Sequence, residues 1–143
     1  KFFIAAVIGF MMLLVSSHVF AQADKRQALM KSNSANAKAI KAAVEAKDYA
    51  TIETKAKEIM ANGDKIVGLF PKGSDTGKTK ATAAIWDKPD DFAKNAKSLS
   101  KAASELADAA KAKDDAAIAV KVKALGDVCG NCHKTFRAEK YAE

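Results

Sequence analysis

The stretch Ile118–Phe136, IAVKVKALGDVCGNCHKTF, decides the fold of this chain. Ile118, Val122, Leu125, Cys129, Cys132 and Phe136 follow one another at alternating steps of four and three. That spacing puts all of them on one narrow face of an α-helix. Three upstream segments repeat the rhythm. The first reads Met30, Asn33, Ala37, Ile40, Val44; the second Ile52, Ala56, Ile59, Gly63, Ile66, Phe70; the third Phe92, Ala96, Leu99, Ala103, Leu106, Ala110. No segment alternates with period two over the length of a strand. Alanine, the strongest helix former, occurs 27 times in residues 24–143.

Both prolines, Pro71 and Pro89, fall with Gly73 and Gly77 in residues 71–89, PKGSDTGKTKATAAIWDKP, which reads as the major connection. The other joints, Lys47-Asp48 and Lys113-Asp114-Asp115, are short, and short joints make sequence neighbours antiparallel. Their aspartates suit helix N-caps, while Pro89, Asp90 and Asp91 suit a first helical turn. The expected fold is all-α: an antiparallel up-down-up-down four-helix bundle with one longer connection between the second and third helices. Stripes this rich in Ala and Gly let helices approach closely but fill little volume. We therefore expect something other than side chains to fill part of the interior, against the alternative of simple tight packing.

Residues 1–23 read as a separate object. Behind Lys1, Phe2–Val15 is an unbroken apolar run, and Ala21-Gln22-Ala23 closes the segment with a small-x-small cleavage pattern. Val19-Phe20-Ala21 is nearly as good, so cleavage is expected after Ala21 or Ala23. This pattern marks a secretory signal peptide, with further n-region residues expected before Lys1. The competing reading is an uncleaved anchor, but Ser16-Ser17-His18 interrupts a run already shorter than the roughly 20 residues of a membrane span. Residues 24–143 then form one domain, with no stable membrane insertion after cleavage.

The whole chain, at 143 residues, is 49% hydrophobic and 29% charged, which fits one packed core and excludes a disordered tail. Its net charge of +7 becomes +6 without Lys1. No basic block carries interleaved aromatics, so nucleic acid is not an expected partner. The basic excess would instead steer encounters with an acidic redox partner protein.

Both cysteines and the single histidine of residues 24–143 lie in one pentapeptide, Cys129-Gly130-Asn131-Cys132-His133. Cys-x-x-Cys-His is the attachment signature of c-type haem. Thiols at i and i+3 share a helix face and can form thioethers to the two vinyl groups, and the adjacent imidazole can ligate iron. Gly130 would let the backbone approach the porphyrin. A structural zinc site needs four Cys or His ligands, and only three are present. A thioredoxin-like motif would sit beside a βαβ pattern, and a disulfide between i and i+3 on a helix is strained.

For the sixth iron position the soft candidates are Met30 and Met60. Met30 lies near the start of the first helix and His133 near the end of the fourth, so antiparallel packing sets them level. Met60, midway along the second helix, belongs at another level. An open sixth position would favour binding of small gases, and a filled one electron transfer. Trp86 and Phe92 read mainly as structural aromatics. Asn33 could hydrogen-bond near the haem or face a wet end of the bundle.

Placement of Cys-x-x-Cys-His in the last helix of a four-helix bundle resembles the class II c-type cytochromes, the cytochrome c prime and low-spin cytochrome c-556 family. Arg26-Gln27-Ala28-Leu29-Met30-Lys31-Ser32-Asn33 is similar to the family's opening helix. Leu69-Phe70-Pro71, Gly73-Ser74-Asp75-Thr76-Gly77, Ile85-Trp86 and Cys129–Arg137 match further. The resemblance spans residues 24–143. It implies covalent haem c on Cys129 and Cys132, one per chain, axial ligation by His133 and Met30, and Arg26 and Arg137 near the propionates or rim. It also implies a non-enzymatic periplasmic electron carrier of a Gram-negative bacterium, monomeric or homodimeric. The alternative is a five-coordinate, cytochrome c prime-like binder of nitric oxide or carbon monoxide.

Overall fold

Helix α1 (Phe2–Glu45) continues without a break from the apolar leader into the first expected helix. It is followed by α2 (Tyr49–Ile66), a short 3-10 turn (Val67–Leu69), the one-turn α3 (Ala84–Asp87), α4 (Pro89–Lys111) and α5 (Asp115–Phe136). The computed structural model describes residues 2–75 and 78–140, with side chains from Ala23 onward. The leader expected over residues 1–23 therefore lies almost wholly outside the described side chains. Thr76 and Gly77 of the connecting motif lie outside the described residues altogether.

The two short joints are built alike. In each, a lysine takes a left-handed conformation, Lys47 at φ 54° and Lys113 at φ 55°. The next amide turns back on the finished helix, Asp48 N to the Ala43 carbonyl at 2.9 Å and Asp114 N to the Ala109 carbonyl at 3.1 Å. Each aspartate then caps the following helix, Asp48 accepting from the Thr51 amide and Asp114 from the Ala117 amide. Asp115 ties the two turns together by accepting from Lys47 Nζ at 2.8 Å and Tyr49 OH at 2.9 Å. Pro89 stands in the first turn of α4, with Asp90 and Asp91 beside it.

The core follows the apolar stripes. Ile52, Ala56, Ile59, Gly63 and Ile66 of α2 are buried, as are Phe92, Ala96, Leu99, Ala103, Leu106 and Ala110 of α4. The stripe of α1 is different from the expected one. Arg26, Leu29, Asn36, Ile40 and Ala43 are its buried residues among those with described side chains, whereas Ala37 is exposed and Met30, Asn33 and Val44 are half-buried. The reason is that α1 serves two surfaces, one against α2 and one turned toward α5. Asn33 is half-buried and is not among the cavity-lining residues; its side-chain oxygen accepts from Asn62 Nδ2 of α2 at 2.8 Å.

At the end opposite the short turns, the long connection is partly ordered by α5. Ala81 bridges to Arg137, the Thr82 amide donates to the Phe136 carbonyl at 3.2 Å, and the Ala138 amide donates to the Lys80 carbonyl at 2.8 Å. The helix α3 within this connection was not legible in the sequence.

Candidate functional site

α1 packs on α2, α2 on α4 and α4 on α5, while among the described residues α1 and α5 make at most slight direct contact. A cavity of about 380 Å³ occupies this open seam. Met30 lines it from α1; Cys132, His133 and Phe136 line it from α5. The +3 and +4 spacing after Cys129 gives Cys132 and His133 neighbouring positions on one helical turn. Met60 is not among the lining residues; it belongs to the α2–α4 contact, where its carbonyl accepts from Ser100 Oγ at 3.1 Å.

The floor of the cavity is aromatic. Phe92 lies edge-on to Phe70 with ring centres 5.0 Å apart, and edge-on to Phe136 at 5.2 Å. Trp86 backs this stack at 6.4 Å from Phe70 and donates its indole N–H to the carbonyls of Phe70 and Pro71. Trp86 and Phe92 thus have the structural role expected of them. Phe70 and Phe136 complete a stack whose members are far apart in sequence, and no local signal showed that they meet.

Arg26 also lines the cavity, yet most of its bonding capacity is directed elsewhere. It is buried, its Nε donates to the Leu69 carbonyl at 2.6 Å, its Nη1 to the Ser74 carbonyl at 3.0 Å and its Nη2 to Ser74 Oγ. The guanidinium also lies 4.1 Å above the Phe70 ring. Burial lowers its pKa from the usual value. Three donors held by the connection leave two N–H groups for anything in the cavity. Arg137 stands at the mouth and is exposed, its amide capping α5 through the His133 carbonyl at 3.1 Å.

Neither cysteine is in a disulfide, and both are half-buried. Burial pushes both thiols up, Cys132 further helped by Cys129. Cys129 packs on the core but is not among the cavity-lining residues. Burial and the nearby Arg137 push the His133 imidazole down, toward its neutral form. Gly130 is exposed, and a Cβ there would meet open space.

The sequence model of the family described as Cytochrome C' matches residues 21–137. The chain belongs to the cytochrome c' family. It is 34% identical over 120 residues to cytochrome c' of Pararhodospirillum photometricum, covering 82% of this chain and 96% of the relative. It is 35% identical over 123 residues to cytochrome c-556 of Agrobacterium fabrum, covering 83% and 82%. Some alignments are shorter: that to cytochrome c-554 of Cereibacter sphaeroides, 43% identical, spans 46% of that protein. Among solved structures, cytochrome c prime from Shewanella frigidimarina superposes with a TM-score of 0.78 at 28% identity, covering 85% of this chain and 97% of that one.

Cytochrome c' proteins carry one covalent haem c per chain and serve as mono-haem electron carriers or gas binders. The residues of this cavity fit such a group. Its interior is apolar, a thioether sulfur and an imidazole stand on opposing helices, a thiol adjoins the imidazole, and arginines flank the space where carboxylates would need partners.

Proposed function

We propose that this cytochrome c' family member is a periplasmic one-electron carrier, its haem attached through Cys129 and Cys132 and its iron held between His133 and Met30. The observation that carries the reading is that Met30 of α1 and His133 of α5 line one cavity whose lining does not include Met60. Haem bound there would supply an iron centre that alternates between ferric and ferrous states.

The residues around it have separate tasks. His133 and Met30, fixed on two helices, would keep the same ligand set in both states, so little would rearrange on electron transfer. A Met ligand would raise the potential relative to other axial ligands. Phe70, Phe92 and Phe136 exclude water from the interior side, which lowers the local dielectric. Arg26 and Arg137 would stand near the carboxylate edge, Arg26 with only the donors that Leu69 and Ser74 leave to it. The apolar leader and Ala-x-Ala site support export, and the redox partners would be other proteins.

A second reading is favoured by the match to cytochrome c' of Pararhodospirillum photometricum, which covers nearly all of that relative. In it the iron is five-coordinate, Met30 only lines the cavity, and nitric oxide or carbon monoxide occupies the free position. Substituting each methionine separates the two. Met30→Ala should convert the ferric iron from low to high spin, and Met60→Ala should leave it low-spin. High-spin iron already in the unsubstituted protein, or conversion by Met60→Ala instead, would contradict the proposed ligation.

A further inference from the structure

Arg26 is a buried cation whose protein partners are all neutral. It is 6% exposed, and burying a charge costs free energy that pairing or hydrogen bonds must offset. Its acceptors are the Leu69 carbonyl, the Ser74 carbonyl and Ser74 Oγ, and its remaining neighbour is the face of the Phe70 ring. None of the ion pairs among the described residues includes it. The cavity beside it has no carboxylate among its described lining residues. A guanidinium does not deprotonate in proteins, so the charge stays.

The place of that charge is fixed too. Arg26 and Met30 are one helical turn apart on α1, a spacing that puts them on one face, and both line the cavity. Bonds to Leu69 and Ser74 hold the guanidinium in position, and Phe70, Phe92 and Phe136 keep its surroundings apolar. An exposed charge is screened by water and salt, whereas a buried one acts across a lower dielectric. Of the other lining cations, Lys31, Lys78 and Arg137 are exposed and Lys80 is half-buried.

We propose that Arg26 raises the reduction potential of this site, as a fixed positive charge that favours the ferrous state. The inference rests on the electron-carrier reading and adds the protein group that sets where the carrier works on the potential scale. One-electron reduction adds one unit of negative charge to the contents of the cavity. A poorly screened cation in the wall favours the more negative state, and it does so without touching the iron. Carboxylates of a bound haem leave this effect in place. Loss of the guanidinium makes the site one unit more negative whether or not they pair with it.

The test is the midpoint potential of the haem-loaded protein, from a mediated redox titration at one pH and one salt concentration. Arg26→Gln removes the charge and keeps an amide donor. It should lower the ferrous-to-ferric ratio at a fixed applied potential about tenfold, a shift of about 59 mV for one electron. Ser74→Asp keeps the guanidinium but sets a carboxylate beside it, and should lower the ratio by at least about threefold. Arg26→Lys keeps the charge and loses the planar fork, and should change the ratio by less than about threefold while weakening the fold. Lys41→Gln, which removes an exposed charge of α1 outside the cavity, should change it by less than about twofold. Equal shifts in Arg26→Gln and Arg26→Lys would overturn the proposal, because lost packing and not lost charge would then set the potential. A level potential in Ser74→Asp, or loss of the low-spin ferric spectrum in Arg26→Gln, would overturn it as well. A protein that shows no reversible one-electron reduction would instead overturn the electron-carrier reading beneath it.

Discussion

Arg26 donates to both the carbonyl and the hydroxyl of Ser74, joining α1 to a turn 48 residues later in the chain. Ser74 Oγ in turn donates to the Pro71 carbonyl at 2.6 Å, and Arg26 Nε holds the Leu69 carbonyl. One buried side chain thus fixes the end of α2 and the start of the long connection against the cavity wall. Arg26→Ala would remove all three donors and leave buried acceptors without partners. We expect a stability loss of about 2–4 kcal/mol for the haem-loaded protein, measured by denaturant unfolding. Arg26→Lys should recover only part of it, because one ammonium does not match a planar fork. A loss below about 0.5 kcal/mol for Arg26→Ala would show that the turn is held by something else.

At Gly63 α2 and α4 approach closely. A Cβ there would collide with Ser100 Oγ and lie 3.1 Å from the Ser100 nitrogen and 3.4 Å from the Ala96 carbonyl. Gly63→Ala should therefore cost about 1–3 kcal/mol. Ser100→Ala removes the first collision but leaves the backbone contacts, and it also breaks the Ser100 bonds to Asp64 and the Met60 carbonyl. The double variant should be less destabilised than the sum of the two single ones. Strict additivity in chemical unfolding would contradict the contact.

The twin turns allow an internal comparison. Lys47 and Lys113 share the same left-handed backbone, so glycine should relieve the same conformational strain at either position. Lys113→Gly should stabilise the protein by about 0.5–1 kcal/mol. Lys47→Gly should stabilise it less, because Lys47 is also hydrogen-bonded to Asp115. Equal changes in melting temperature would show that the Lys47–Asp115 pair contributes nothing.

Asp115 is held below its ordinary pKa of 3.8 by hydrogen bonds from Lys47 and then Tyr49, and Asp48 below the same value by hydrogen bonds from Thr51. A carboxyl lowered by folding contributes stability that is complete above its unfolded pKa and is lost as the pH falls through the folded one. The urea midpoint should accordingly decline as the pH drops below about 4, and Asp115→Asn should flatten that decline. An identical acid profile for both proteins would rule out the contribution of this end.

The bundle was readable because its signals are local. Alternating three- and four-residue steps gave the buried faces of α2 and α4, and Lys47-Asp48 and Lys113-Asp114 gave both turns with their caps. The face of α1 was misread: Ala37 is exposed and Asn36 buried, since a helix bordering a cavity has two apolar directions and one stripe does not separate them. Of the residues expected around the haem, Met30, Cys132, His133, Arg26 and Arg137 line the cavity, whereas Cys129 does not. The surroundings of the cavity were not legible. Ser74, Thr79 and the pairing of Ala81 with Arg137 depend on how a long connection returns over α5, and nothing in residues 71–89 specifies that path.

The central claim is that Met30 and His133 ligate the same iron. The ferric optical spectrum of the purified, haem-loaded protein tests it most directly. The account predicts a low-spin spectrum with a weak sulfur-to-iron charge-transfer band that disappears in Met30→Ala and persists in Met60→Ala. A high-spin ferric spectrum in the unsubstituted protein would contradict it and leave Met30 as a wall of a gas-binding cavity.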